Sequence, residues 1–409
     1  MSVTRIAGGV TAAKGFKAAG CEAGIKKAGR ADMAMIASDV PCVLAGTFTT
    51  NVVKAAPVLW DKEIVQRGTG RAVVVNAGIA NACTGKEGME YCERTAREAA
   101  SYIGAKTEEV LVASTGVIGQ QLPIDRILSG VKKLSGTLSD TMGGGRDAAK
   151  AIMTTDTVPK ECAVSVTLTD GTEITIGGCA KGSGMIHPNM CTMLCFLTTD
   201  AAISQEMLQK ALSSVVPDTF NMISVDGDTS TNDTCILMAN ALAGNNPIEE
   251  EGEDYRLFTE GLYQTAETIA KVMAKDGEGA TCLFECSVIH AATKEDAKTL
   301  ARSVVSSILT KAAIAGHDAN FGRLLCALGY SGVVFDPERV SLVLESAAGR
   351  LLAYDNGVPL PFDEEYATKI LSQDEIRCIA DMKCGSASAT AWGCDLTHEY
   401  VSINADYRS

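Results

Sequence analysis

Residues 182–197 read GSGMIHPNMCTMLCFL, a glycine-rich loop that runs straight into an apolar stretch with Thr192 at the junction. A threonine hydroxyl is a weak nucleophile on its own. If the chain is cut just before it, however, the new α-amino group has a free pKa of about 7.7–8.0 and lies within reach of that hydroxyl. One residue then carries both nucleophile and base. Gly182 and Gly184 open backbone angles closed to other residues, and strain at Cys191-Thr192 would expose the Cys191 carbonyl to the Thr192 hydroxyl. An N-to-O acyl shift and hydrolysis of the ester would follow. Spacing alone favours a plainer role for Thr192, a β-favouring residue that opens a strand.

Other routes to group transfer are poorly provided for. The chain has four histidines and no H-E-x-x-H, so neither a zinc hydrolase nor a histidine-based triad is indicated. There is no G-x-x-x-x-G-K-[ST] and no G-x-G-x-x-G after a strand, and GGGRD at 143–147 reads as a turn before a helix. The fifteen cysteines are scattered, without C-x-x-C or histidine partners at zinc spacing, and read as buried reduced thiols. A net charge of −14 argues against general nucleic-acid binding, which needs a basic footprint. Taken singly, STGVIG at 114–119 is a turn ending a strand, and Lys181 and Glu278 are surface charges.

The elements that must position these residues are legible in part. Val164, Val166 and Leu168 alternate with polar residues, Asp170-Gly171 supplies a turn, and Ile174 and Ile176 resume the alternation, which predicts a hairpin over 163–178. From Thr192 the run TMLCFLTTD reads as a strand buried on both faces. RAVVVNAG (71–78) is a further strand, and EGMEYCERTAREAASYIG, SQEMLQKALSSVV and DEEYATKIL are amphipathic helices. One long helix is predicted from an N-cap at Thr293 to a stop at Gly316. Strands and helices interleave without a strict βαβ rhythm, so the expected class is α/β with mixed sheets covered by helices, in about two or three folding units. No run reaches the roughly 18 apolar residues of a membrane helix, and the first residues have no signal-peptide core. A cytoplasmic location is expected.

The loop KGSGMIHPNMCTMLCFLTTD closely resembles the autoprocessing segment of the ornithine acetyltransferase (glutamate N-acetyltransferase) family, with Cys191 where that family usually has alanine. Similar segments follow the family in order along the chain: GGVTAAKGFKAAG, FTTNVVKAAPV (48–58), NAGIANACTG (76–85), STGVIG, IMTTDT (152–157), VDGDTSTNDT (225–234), KDGEGAT (275–281), GHDANFGR (316–323) and the terminal NADYRS.

This resemblance implies self-cleavage between Cys191 and Thr192 into an α chain, 1–191, and a β chain, 192–409, inside one folded unit. It implies mixed β-sheets packed between helical layers, and a heterotetramer of two α and two β chains. Thr192 would take acetyl from N2-acetylornithine and pass it to glutamate in a ping-pong reaction of arginine biosynthesis. Thr115, through its hydroxyl, and Gly116, through its N–H, would form the oxyanion hole. Thr155, Lys181, Thr192, Glu278, Asn404 and Ser409 would bind substrate, Lys181 facing a carboxylate and Glu278 an ammonium. No cofactor or metal is expected; acetyl-CoA is a second acetyl donor in some members of that family. Two alternatives stand beside this one. A self-processing amidase or aminopeptidase would use water as acceptor, and a non-catalytic amino-acid-binding protein would never be cut.

Overall fold

A computed structural model describes residues 2–187 and 193–406. In chain order its elements are β1 (Val3–Ile6), β2 (Phe16–Cys21), β3 (Met33–Phe48), α1 (Ala56–Arg67), β4 (Thr69–Ile79), α2 (Gly85–Ile103), β5 (Val110–Val117), α3 (Ile124–Ser135), α4 (Met142–Ala151), β6 (Lys160–Thr167) and β7 (Glu173–Lys181). There follow β8 (Leu194–Thr199), α5 (Gln205–Val215), β9 (Ile223–Ser224), β10 (Thr234–Ala239), α6 (Glu253–Lys275), β11 (Leu283–Ala291), α7 (Lys294–Ser306), α8 (Ile308–Ala315) and α9 (Phe321–Gly329). The chain ends with β12 (Ser341–Ser346), β13 (Gly349–Asp355), β14 (Val358–Pro359), α10 (Glu364–Leu371), β15 (Glu375–Asp381), β16 (Ala387–Cys394) and α11 (His398–Ala405).

The strands form two mixed sheets, as the interleaved pattern predicts. One runs β1-β6-β7-β8-β10-β3-β4-β5, with β2 paired to β3; the other runs β14-β13-β12-β15-β11-β16-β9. In the first sheet β8 lies between β7, to which it is antiparallel, and β10, to which it is parallel. All six residues of β8 are buried. Its odd-numbered side chains, Cys195 and Leu197, join Val164, Val166, Ile174 and Ile176 in a large core. That core continues through α5 and α6 into the second sheet, so the two sheets share one interior and not separate folding units. The even-numbered Leu194 and Phe196 enter a second core on the other face with Ile236, Met238, Val73 and Val75. Alternation along an extended strand is what divides them.

The hairpin forms from β6 and β7, with Gly171 at the turn in the left-handed region (φ 84°). The predicted helices appear as α2, α5 and α10, and Ser204 and Asp363 cap the last two. Thr293 caps α7 by accepting the Asp296 N–H, but the helix expected to reach Gly316 breaks at Ser307. There the backbone turns extended (ψ 114°) and the Ser307 hydroxyl caps a second helix, α8. GGGRD lies within helix α4, not in a turn before a helix. Its glycines are needed for proximity: a Cβ on Gly144 would sit 2.6 Å from the Ala18 carbonyl oxygen of β2. No described helix is long and apolar enough to cross a membrane. The described cysteines are all free thiols.

Candidate active site

Strand β5 lies at one edge of the first sheet, so one row of its backbone groups lacks a strand partner. Helix α1 supplies part of that row: buried Asp61 accepts the Val112 N–H at 2.8 Å. Burial holds the Asp61 carboxyl well above the usual carboxylate range. Beyond this brace, Thr115 and Gly116 directly precede Val117, where β5 ends. Gly116 has φ 129°, and a Cβ there would lie 2.2 Å from the Gly78 carbonyl carbon, so both conformation and space demand glycine.

The last residue of β7, Lys181, extends into the same region, and its Nζ donates to the Thr115 hydroxyl oxygen at 3.4 Å. With that oxygen accepting, the Thr115 hydrogen is left to point elsewhere. Burial lowers the Lys181 pKa, against the raising effect of the Asp156 carboxylate. Asp156 anchors several strands of chain at once: one oxygen accepts Lys160 Nζ and the Gly182 N–H, both at 2.7 Å, and the other accepts the Thr154 N–H at 2.9 Å. Burial opposes its charge, but Lys181 and Lys160 outweigh burial and hold its carboxyl far below the usual range. Lys160, 0% exposed, also pairs with Asp276 at 2.6 Å, and Asp276 receives the Thr157 N–H and hydroxyl. A buried charge cluster of this kind survives because each member is paired and hydrogen-bonded. It locks the Thr154–Thr157 turn to Lys181.

Glu278 follows α6 and is buried. Its carboxyl lies against Gly184, where a Cβ would meet Oε2 at 2.3 Å, so Gly184 serves close packing and not an unusual φ. The left-handed residue of the loop is Met185 (φ 55°), whose N–H donates to Asp226 at 2.6 Å. Asp226 also accepts the Ile186 N–H and the Tyr400 hydroxyl, which ties α11 to the loop. From α11, Asn404 Nδ2 donates to Glu278 Oε2 at 2.7 Å.

These segments enclose a cavity of about 150 Å³. Thr115, Gly116, Thr155, Lys181, Glu278 and Asn404 all line it, together with Met193 and Leu194 at the entry to β8. Residues from six separate stretches of sequence thus meet in one place. Cys191, Thr192, Ser409 and Tyr407 lie outside the described residues. Among the described residues no cluster could hold a metal ion. A cation, a carboxylate, hydroxyl groups and a backbone turn around a small cavity suit a compact polar molecule with charges of both signs.

Among the cavity residues that the sequence reading did not single out are Ser230, Asn232 and Asp233. Asn232 Nδ2 donates to the carbonyls of Ala80 (2.6 Å) and Ser114 (2.8 Å), so it fixes the end of β5 to the head of β10. They belong to VDGDTSTNDT, a segment quoted only for its resemblance. Its density of short polar residues ahead of an apolar strand was the available signal.

The ArgJ family profile matches residues 17–409. The arginine biosynthesis bifunctional protein ArgJ of Thermotoga neapolitana is 50% identical over 401 residues, covering 97% of this chain and 99% of that protein. Its counterpart of the same name in Symbiobacterium thermophilum is 51% identical over 406 residues, covering 99% of each. A crystal structure of an arginine biosynthesis bifunctional protein ArgJ from Bacillus halodurans is 43% identical, covering 52% of this chain and 98% of the solved chain, with a TM-score of 0.50. With the profile matched over residues 17–409 and relatives at about half identity covered almost end to end, the chain belongs to the ArgJ family.

Proposed function

We propose that this protein transfers an acetyl group from N2-acetylornithine to glutamate through an ester on Thr192, giving ornithine and N-acetylglutamate in arginine biosynthesis. The carrying observation is the convergence of Thr115, Gly116, Thr155, Lys181, Glu278 and Asn404 on one cavity at the entry to β8, the strand that begins two residues after Thr192. In this scheme the chain cuts itself between Cys191 and Thr192, and the freed α-amino group takes the hydroxyl proton as Thr192 attacks the acetamide carbonyl. Charge on the tetrahedral oxygen is met by the Thr115 hydroxyl and the Gly116 N–H. Ornithine leaves with the proton, and the amino group of glutamate then attacks the ester. Lys181 faces a substrate carboxylate, and Glu278 with Asn404 faces the charged end of the side chain. Ser409 completes the pocket from the C-terminus.

The two products of the cut, 1–191 and 192–409, would stay together because β7 and β8 pair edge to edge across it. A second chain of just over half the length also agrees with the Bacillus halodurans chain, which is 98% covered yet spans 52% of this one. Assembly of two such pairs into a heterotetramer rests on family resemblance and is read by light scattering. Free thiols throughout the described chain suit a reducing cytoplasm. The relatives are named bifunctional, and acetyl-CoA is the second acetyl donor to assay.

Intact mass with N-terminal sequencing, run beside Thr192→Ala, tests the scheme. Expected are two chains, the second beginning at Thr192, and a single uncut, inactive chain in the variant. An uncut wild-type chain would remove the base from the mechanism. Glutamate-dependent loss of N-acetylornithine separates transfer from hydrolysis, which would release acetate without glutamate.

A further inference from the structure

Asp233 has no part in this scheme, yet it lines the cavity and is buried, 1% exposed. It directly precedes β10, whose parallel register sets Thr234 opposite Leu194 and so Asp233 level with Met193. The Thr234 N–H donates to the Met193 carbonyl at 2.9 Å, and the Met193 N–H is directed at the Asp233 carboxyl. Asn232 on its other side is fixed by the Ala80 and Ser114 carbonyls. The chain is therefore held on both sides of Asp233, and among the described residues its Oδ2 meets no donor.

A buried polar atom without a partner is costly, and more so when it carries charge. Burial accordingly pushes this carboxyl well above the usual range, with the Ser230 hydroxyl, the Met193 N–H, the Thr49 hydroxyl and the charge of Lys181 offsetting only part of the effect. Lys181 is the charged group that faces it, but its ammonium hydrogen-bonds to Thr115. What the open oxygen lacks is an N–H donor with positive charge, small enough for the β8 end of a cavity of about 150 Å³. A primary amine meets that description.

Resting on the acyl-transfer assignment above, we propose that Asp233 is a positioning residue that clamps an amine at the β8 end of the cavity. Two amines share that chemistry: the α-amino group created by a cut before Thr192, and the amino group of the acetyl acceptor. Neither is bonded to Asp233 through carbon; the carboxyl orients the nitrogen and fixes how readily it holds its proton.

The experiment is Asp233→Asn in the full chain, with intact mass, thermal melting, KM for both substrates and the pH profile of kcat. A carboxylate raises the pKa of an amine beside it. If the clamped group is the chain's own amine, its removal moves the acidic limb of kcat about one pH unit lower and leaves both KM values alone. If it is the acceptor's amine, KM for glutamate rises at least tenfold and the limb stays. A folded variant with KM values within twofold of wild type and an unmoved limb overturns the proposal. Should the variant not fold, isotope-edited infrared spectra of labelled aspartate decide. Loss of a protonated carboxyl band on going from uncut Thr192→Ala to mature wild type saturated with glutamate supports the clamp, and an unchanged band overturns it. Wild-type protein that transfers no acetyl group refutes the acyl-transfer assignment itself, before any variant is compared.

Discussion

Asp156→Asn isolates the buried charge cluster that joins two parts of the cavity wall. The substitution keeps volume and one accepting oxygen, so the Gly182 N–H and Lys160 retain a partner at Oδ1, while the Thr154 N–H loses its acceptor and the charge is lost. Removing one member of a buried ion pair costs about 3–5 kcal/mol. Lys160 keeps Asp276 at 2.6 Å, which places the expectation at the lower end, about 3 kcal/mol. Unfolding entropy near 2.1 cal/mol/K per residue over 409 residues is about 0.86 kcal/mol/K, so the melting temperature should fall by about 3–4 °C at pH 7. The Asp156 pKa is depressed in the folded protein, so its stabilisation is present above the unfolded carboxyl pKa of about 3.9 and is lost as pH falls through the folded value. The gap between variant and wild type should be constant from pH 7 to about pH 5 and narrow below about pH 4. Kinetics supply an independent reading. Burial lowers the Lys181 pKa and Asp156 raises it, so without Asp156 the lysine loses its proton at lower pH. The alkaline decline of kcat/KM should shift toward neutrality. Calorimetry and steady-state assays from pH 4 to 9 measure both effects. A variant melting within 1 °C of wild type, with an unmoved alkaline limb, would refute the claim that this cluster holds Lys181.

Gly116→Ala should lower kcat by about 10²–10³, the usual loss for one oxyanion donor, because a Cβ 2.2 Å from the Gly78 carbonyl must displace the backbone that bears the N–H. Gly119→Ala is its control: Gly119 also has positive φ (84°) but faces open space, so about 1 kcal/mol of stability should go while kcat stays. Equal kcat losses in the two would show that general strain, and not donor placement, is responsible. Glu278→Gln keeps an oxygen for Asn404 and removes the charge, and should raise one substrate KM by about tenfold or more, the value of a hydrogen bond to a charged group. Unchanged KM values for both substrates would exclude Glu278 from ammonium recognition.

Local elements were legible wherever the signal was local. Alternation at Val164, Val166, Ile174 and Ile176 with Asp170-Gly171 between them specifies the β6-β7 hairpin, because strand period and turn chemistry lie within a few residues of each other. The cap at Thr293 was legible for the same reason. The break at Ser307 was not, since the apolar spacing continues across it, and the hydroxyl that caps α8 is also an ordinary helix residue. GGGRD failed as a turn because glycine serves two purposes, freedom of φ and closeness of approach; which one applies depends on Ala18, more than a hundred residues earlier.

The candidate site divides along the same line. Sequence by itself determined the residue types, a threonine after a glycine loop with its neighbouring lysine and distant glutamate, and through ordered resemblance the family to which they belong. Only the tertiary structure decided that Lys181, Glu278 and Asn404 share one cavity, that Lys160 and Asp276 are buried partners across 116 residues, and that Asp233 presents there an oxygen with no donor among the described residues. Charge and burial are properties of what surrounds a side chain. A carboxylate reads as solvated surface in a sequence until the fold has removed the water from around it.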